Sequence, residues 1–506
     1  MKEQQLNVTT PRSKSAAAVA EPMKKYELDG KDRALLPLSL LLGVLMVELF
    51  ITCFQHVGGL IVPMVVAVWY GIFFWYRGFQ GLKSRAGGLL FVSVCLLALT
   101  FALWSNPWFR LWNLLALPCL MGVQLFEIAG ADGERKPWWS ISMLWERCVL
   151  TLKGLFCNLG APFQAAASLN QSKRTVYVLA GLAASVLLLL MVVPMLLSAD
   201  ALFRHITNGF LGFLEKNLAP LGGRLLAGLC IAPLLYGLLY ALRRPRPHEK
   251  TPVQGKTFVL DVAAPVTMLV VMNALYFFFI LVQFAALFGG EKYLAQVDIS
   301  YATYARSGFF QLVGVALLNL ALVMACLHFS GKEGRGWQLV QILCTTLVAV
   351  SCLMLISAAY RMTIYVGVYG LSFKRFLTYW GMGMLCIFFA AAVLKIWRKQ
   401  FSFFKVVFVA GLAGWLFLNY INVDGLVARY NVALYTRDPG AVDLAYLVYS
   451  SYDTLHVLET LPDDTMVAGV PLNLRIAAQR ASAAADASNW RTWSVSAQRA
   501  AHEKVE

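Results

Sequence analysis

The chain has 506 residues, 59% of them hydrophobic and only 14% charged. Soluble globular domains carry about 25% charged residues, so a soluble multidomain protein is excluded and most side chains must face lipid. The net charge of +16 is spread over connectors between apolar stretches. Topology and anionic lipid head groups account for such a distribution, and nucleic-acid binding is disfavoured.

In chain order, residues 1–34 are polar and basic, with no cleavage site after the first apolar stretch. They are expected to be a disordered cytoplasmic tail, followed by an anchor that is retained. A helix needs about 20 apolar residues to cross the hydrocarbon core. That length predicts crossings over Leu35 to Phe54, Gly58 to Tyr76, Gly87 to Trp104 and Trp108 to Phe126, which short connectors pair into two hairpins. Seven more follow: Thr175 to Leu197, Leu221 to Leu242, Val262 to Phe288, Ser307 to Phe329, Trp337 to Tyr360, Phe376 to Leu394 and Val406 to Ile421. The expected fold is therefore all-α, a polytopic bundle of about 11 spans over residues 35–421. The last segment is the shortest; were it only interfacial, the chain's end would return to the first side.

Alternate connectors are basic, among them Arg77, Lys83 and Arg85, then Arg243, Arg244, Arg246, Lys250 and Lys256, then Lys395, Arg398, Lys399 and Lys405. Basic residues are retained in the cytoplasm, which places the amino terminus inside and residues 422–506 outside. Two connectors have a helical pattern of their own. In 128–174, Trp138, Ile141, Trp145, Val149, Leu152 and Phe156 share one face, and in 199–220 Leu202, Phe203, Ile206, Phe210 and Phe213 do the same. Both are expected to rest on the membrane surface. The tail turns alanine-rich after Asp424 and is expected to form a small helical cap, entered through Asp438, Pro439 and Gly440.

Chemistry is sparse. There is no nucleotide-cradling GxxxxGK[ST], no zinc-binding HExxH and no GxSxG elbow. The six histidines are scattered without metal-face spacing, so no metal, cofactor or catalytic constellation is assigned. A charge at mid-bilayer costs about 2.5–3.5 kcal/mol, which makes Glu48 notable as an acidic residue within a span. It is either a proton or cation site, or solvated near the outer interface. A second group sits at the outer ends of the later spans. Tyr304 and Arg306 precede the eighth span; Arg361, Tyr365 and Tyr369 share a face before Gly370; Arg375 opens the tenth. With the amino end inside, these lie on the side of Asp424, Arg429, Asn431, Asp443 and Asp453. The cluster is expected either to bind a small anionic or zwitterionic ligand through arginine forks or to dock the cap through its own ion pairs.

The same residues carry a family resemblance. The run from Tyr301 through Tyr304, Arg306, Gly308 and Gln311, the run Arg361 to Tyr365 continuing to Tyr369, Gly370, Ser372 and Arg375, and the run Asn422 to Asp424 continuing to Arg429, Tyr430 and Asn431 resemble an uncharacterised bacterial multi-pass family, domain of unknown function 4173, close to the group labelled 4153. The resemblance implies a bacterial plasma-membrane protein and supplies no activity, substrate or catalytic residue. Three functions follow as expectations: transport or ligand handling through the outer cluster, a signalling or membrane-assembly module, and, third, a membrane-embedded enzyme using Asp424, Asp443 or Asp453.

Overall fold

A reciprocal cap starts the first helix. The Asp29 carboxylate accepts the Asp32 N–H at 3.0 Å and the Asp32 carboxylate accepts the Asp29 N–H at 2.7 Å, satisfying two donors that a helix start leaves orphaned. Helix α1 (Gly30–His56) thus begins within the stretch expected to be a loose tail. The computed structural model describes residues 26–79, 85–129, 141–169, 219–244, 261–296, 309–330 and 334–502, together with 185, 188 and 192. The predicted crossing Thr175 to Leu197, the segment Ala201 to Asn217, and Tyr304 and Arg306 lie outside them, apart from the three isolated positions.

The fold is an all-α polytopic bundle. α2 (Ile61–Arg77), α3 (Arg85–Leu103) and α4 (Pro107–Ala129) continue the two predicted hairpins. α5 (Ile141–Cys157) and α6 (Gly160–Leu169) follow, then α7 (Ala219–Arg243), α8 (Ala263–Gln296), α9 (Phe309–Phe329), α10 (Gly334–Tyr369), α11 (Phe373–Trp397) and α12 (Phe403–Tyr420). Among the described residues, eight helices are long and apolar enough to cross a membrane, α12 included; α2 is a shorter apolar helix. α4 is not among the eight, yet occupies a predicted crossing and carries Arg110 and Asn113.

Two apolar cores divide the bundle. The first joins α1 to α4 with α7 around Tyr76, Tyr236, Phe73 and Phe101. α1 and α7 approach so closely that a Cβ on Gly43 would lie 2.3 Å from the Gly228 carbonyl oxygen, the small-residue contact by which membrane helices pack. The second core joins α8 to α11 around Leu347, Met354 and Phe389. α12 bridges them: Phe403 and Val407 pack on the second core, Trp415 and Leu416 on the first. α5 packs along the carboxy-terminal part of α7, where Gly154 meets Leu238, and leaves Trp145, Leu152 and Phe156 exposed.

Residues after α12 form the cap: α13 (Val423–Tyr435), α14 (Leu444–Val448), α15 (Leu455–Leu458), α16 (Leu472–Ser488) and α17 (Val495–His502), with 3₁₀ turns at Pro439–Ala441 and Tyr452–Thr454. β1 (Met466–Val467) and β2 (Val470–Pro471) make one antiparallel hairpin, Met466 opposite Pro471. The cap has its own apolar centre in Leu447, Leu455, Leu458, Leu472 and Ala483. The amino end and the cap occupy opposite ends of the bundle. Asp29 and Asp32 meet Arg243 and Arg244 at the end of α7, whereas the connector after α1 meets residues 491–493.

Candidate functional site: the cap and the ends of two cores

The cap holds both cores at once. On the first core, Leu60 N–H donates to the Trp493 carbonyl at 3.0 Å and Ile61 N–H to the Arg491 carbonyl at 3.3 Å. These donors lie at the start of α2, which has no side-chain cap of its own, so cap backbone supplies what the helix lacks. Asn106, before the proline that opens α4, accepts the Phe109 N–H at 2.9 Å and donates to Asp424 at 2.8 Å. Ser105 donates to Asp453 through both its N–H and its hydroxyl, each at 3.3 Å, and its hydroxyl lies 3.0 Å from that of Ser496. On the second core, Asn431 accepts the Leu371 N–H at 2.9 Å and donates back to the Leu371 carbonyl, and Phe373 N–H donates to the Tyr446 hydroxyl at 3.0 Å.

The expected outer group is distributed over separate tasks. α10 runs through Arg361, Tyr365 and Tyr369 and stops at Gly370, which has a φ of 72°. Arg361 is buried in that helix. Arg375 donates to the carbonyls of Tyr369, at 2.7 Å, and Gly370. Its guanidinium stacks 4.4 Å from the Tyr365 ring, itself 4.9 Å from the Tyr369 ring. Arg375 thereby caps the last carbonyls of α10, where a cation is favourable. Asp443 is exposed and caps α14, accepting the Ala445 N–H at 2.9 Å. Arg429 is exposed on the helix whose other face buries Asp424 and Asn431. Arg306 lies outside the described residues.

Burial decides the electrostatics. Asp424 is 4% exposed; desolvation pushes its carboxyl up to about 6, opposed by the Asn106 amide and raised further by Asp453. Asp453 is raised in the same way by burial, opposed by its serine partners. Burial also raises Tyr446, whose hydroxyl lies within the fields of both Asp424 and Arg375. Asp424 and Arg375 thus flank a shared neighbour without pairing directly.

Glu48 is an ion-pair partner of two arginines, Arg224 of α7 at 2.8 Å and Arg491 of the cap at 3.2 Å. At the end of the same helix as Glu48, His56 Nδ1 lies 3.2 Å from Asp486, which accepts the Tyr452 hydroxyl at 2.8 Å. Sequence reasoning missed Arg224 and the buried Arg110, although the rule that singled out Glu48 applies to both. Arg110 donates to the carbonyls of Trp104 at 3.0 Å, Gly58 at 3.2 Å and Phe101 at 2.9 Å, tying the two cap-side connectors of the first core together. It also missed Asn106, readable as a helix cap before proline.

Two hollows accompany this interface. One, of about 90 Å³ within the cap, is lined by Tyr452, Asp453, His456, Glu459, Arg480 and Arg499; Arg480 pairs with Glu459. The other is an apolar groove of about 730 Å³ between α4, α11 and α12. No group of three or more metal-ligating side chains occurs among the described residues.

Fold and interface together define a membrane-embedded helix bundle closed at one end by its own carboxy-terminal cap. The sequence matches the family described as domain of unknown function 4153 (DUF4153) over residues 91–461, and the chain belongs to that family. The match falls on the group neighbouring the 4173 label expected from the motifs. No curated protein and no solved structure matches the chain.

Proposed function

We propose that this protein is a non-catalytic membrane module, for signalling or assembly, whose cap locks the ends of two helix groups together. The observation that carries the reading is the double attachment: Asn106 to Asp424 on one core, Leu371 to Asn431 on the other. Of the polar groups that could grip a ligand, Asp424 and Asn431 are engaged in docking, Asp443 in capping, and Arg375 in capping and stacking on Tyr365. With the amino terminus in the cytoplasm, as the basic connectors favour, the cap faces the outside of a bacterial plasma membrane. Cap release would then change the relative placement of the two cores. A reporter fused after Glu506 should be active outside the cytoplasm; activity inside would reverse the orientation.

The functional test compares a strain lacking the gene with one carrying Asn106→Ala and Asn431→Ala together. Both should alter envelope gene expression while solute uptake stays unchanged. Loss of uptake of one solute with unchanged expression would overturn the reading in favour of transport. A second reading, recognition of a small zwitterion in the cap, is favoured by the hollow where Arg499 and His456 stand beside Asp453 and Glu459.

A further inference from the structure

The groove between α4, α11 and α12 has a chemistry and a length that point to one occupant. Its walls are apolar throughout, including Trp112, Leu120, Leu377 and Phe408, and its volume of about 730 Å³ falls in the range of built ligand sites. Gly381 and Gly411 line it, and a Cβ built on either would meet no heavy atom within 4 Å, so both positions open onto empty space. Along α4 the lining runs from Trp108 to Leu120, a rise of about 18 Å. One leaflet of hydrocarbon is about 15 Å deep.

The cap end of the groove is closed. Phe109 and Phe373 stand edge to face at 5.1 Å, and both belong to the apolar centre beneath the cap. Their chain neighbours Trp108 and Lys374 are exposed beside this closure. Lys374 shares a face of α11 with Leu377 and Gly381, and its ammonium has no partner among the described residues. A chain lying in the groove would therefore emerge sideways, with a cation at its exit and indole rings at the depth where tryptophans favour the interface.

We propose that this groove holds one acyl chain of a bilayer phospholipid, with the lipid phosphate placed at Lys374. The inference is independent of the locking role of the cap.

The test uses the full chain in phosphatidylethanolamine and phosphatidylglycerol vesicles doped with phosphatidylglycerol bearing a diazirine on its acyl chain. After irradiation, peptide mapping should place adducts on the segment around Cys119 and Leu120 in clear excess over the exposed Phe277 and Phe278 of α8. Gly411→Phe and Gly381→Leu fill the open positions and should abolish that excess while α8 labelling and the proteolytic pattern of the cap stay unchanged. Lys374→Ala should weaken groove labelling about fivefold, the worth of one surface lysine toward an anionic lipid. Diazirine-labelled diacylglycerol, which lacks the phosphate, should label weakly and ignore that substitution. Equal labelling of the groove and α8 would overturn the proposal, showing ordinary lipid contact. Protein–protein adducts in place of lipid would overturn it in favour of a second copy. Diacylglycerol labelling as strong as phosphatidylglycerol would overturn the assignment of the phosphate to Lys374.

Discussion

Asn106 and Asp424, 318 positions apart in the chain, share a hydrogen bond of 2.8 Å under the cap, and both are buried. The same asparagine also holds the first turn of α4. A single amide therefore fixes a helix start and a docked carboxyl together.

That carboxyl should make cap docking pH-dependent. Folded Asp424 keeps its proton up to about 6, against an ordinary 3.8, so the docked form binds more protons between these values. Its contribution is full below the lower value and is lost as pH rises through the upper one. The span corresponds to about 3 kcal/mol. Protease resistance of the cap should be greater at pH 5 than at pH 7.5, and Asp424→Asn should flatten most of that difference. A cap more resistant at the higher pH would contradict the assignment. Asp453, raised in the same direction, supplies the residual slope.

Asn431→Ala removes both bonds to Leu371 and should cost about 1–3 kcal/mol. Gly370→Ala should act at the same place from the other side. Its backbone is left-handed, and the new methyl would lie 2.4 Å from the Asn431 amide oxygen. Thermal unfolding in detergent should show both variants losing the cap before the bundle.

Arg110 satisfies three carbonyls with one planar fork. Lysine offers a compact ammonium without that geometry. Arg110→Lys should therefore cost nearly as much as Arg110→Met, about 3 kcal/mol or more in each case. Full retention of the unfolding temperature by the lysine variant would remove the fork argument.

Glu48, Arg224 and Arg491 form one ionic group. A double-mutant cycle between Glu48→Gln and Arg491→Gln, read by cap proteolysis, should give a coupling of about 0.5–1 kcal/mol that shrinks in high salt, since both arginines are partly exposed. Zero coupling would mean that the 491–493 backbone alone seats this part of the cap.

Spans were legible because lipid enforces length and apolarity on every crossing, so the predicted Val406 to Ile421, the shortest, meets the helix Phe403–Tyr420, and Trp337 to Tyr360 lies within the longer helix Gly334–Tyr369. α4 was legible as a helix over the predicted Trp108 to Phe126, although it is not among the eight helices long and apolar enough to cross. The partners of polar residues were not legible. Nothing local in Leu60 announces that the Trp493 carbonyl will accept its N–H, and Glu48 looked solitary because Arg224 and Arg491 are distant in sequence. Arg243 and Arg244 were read as topology markers. They also bind Asp29 and the buried Asp32, and the Arg243 contact is the main cause holding Asp29 down at about 2. A charge count sees only the first of these roles.

The hydroxyls of Ser105 and Ser496 meet across 391 positions. At about 5–20 residues per second, a ribosome needs roughly 20–80 s to travel between them. For that interval the hairpins made first must wait at the membrane with their serine, asparagine and glycine contacts open, until the codons around position 496 deliver the groups that complete them. Biogenesis of this protein is therefore vulnerable to interruption between the two: a ribosome stalled after Tyr420 and before Ser496 would leave the helices of the bundle made and the cap over them unfinished.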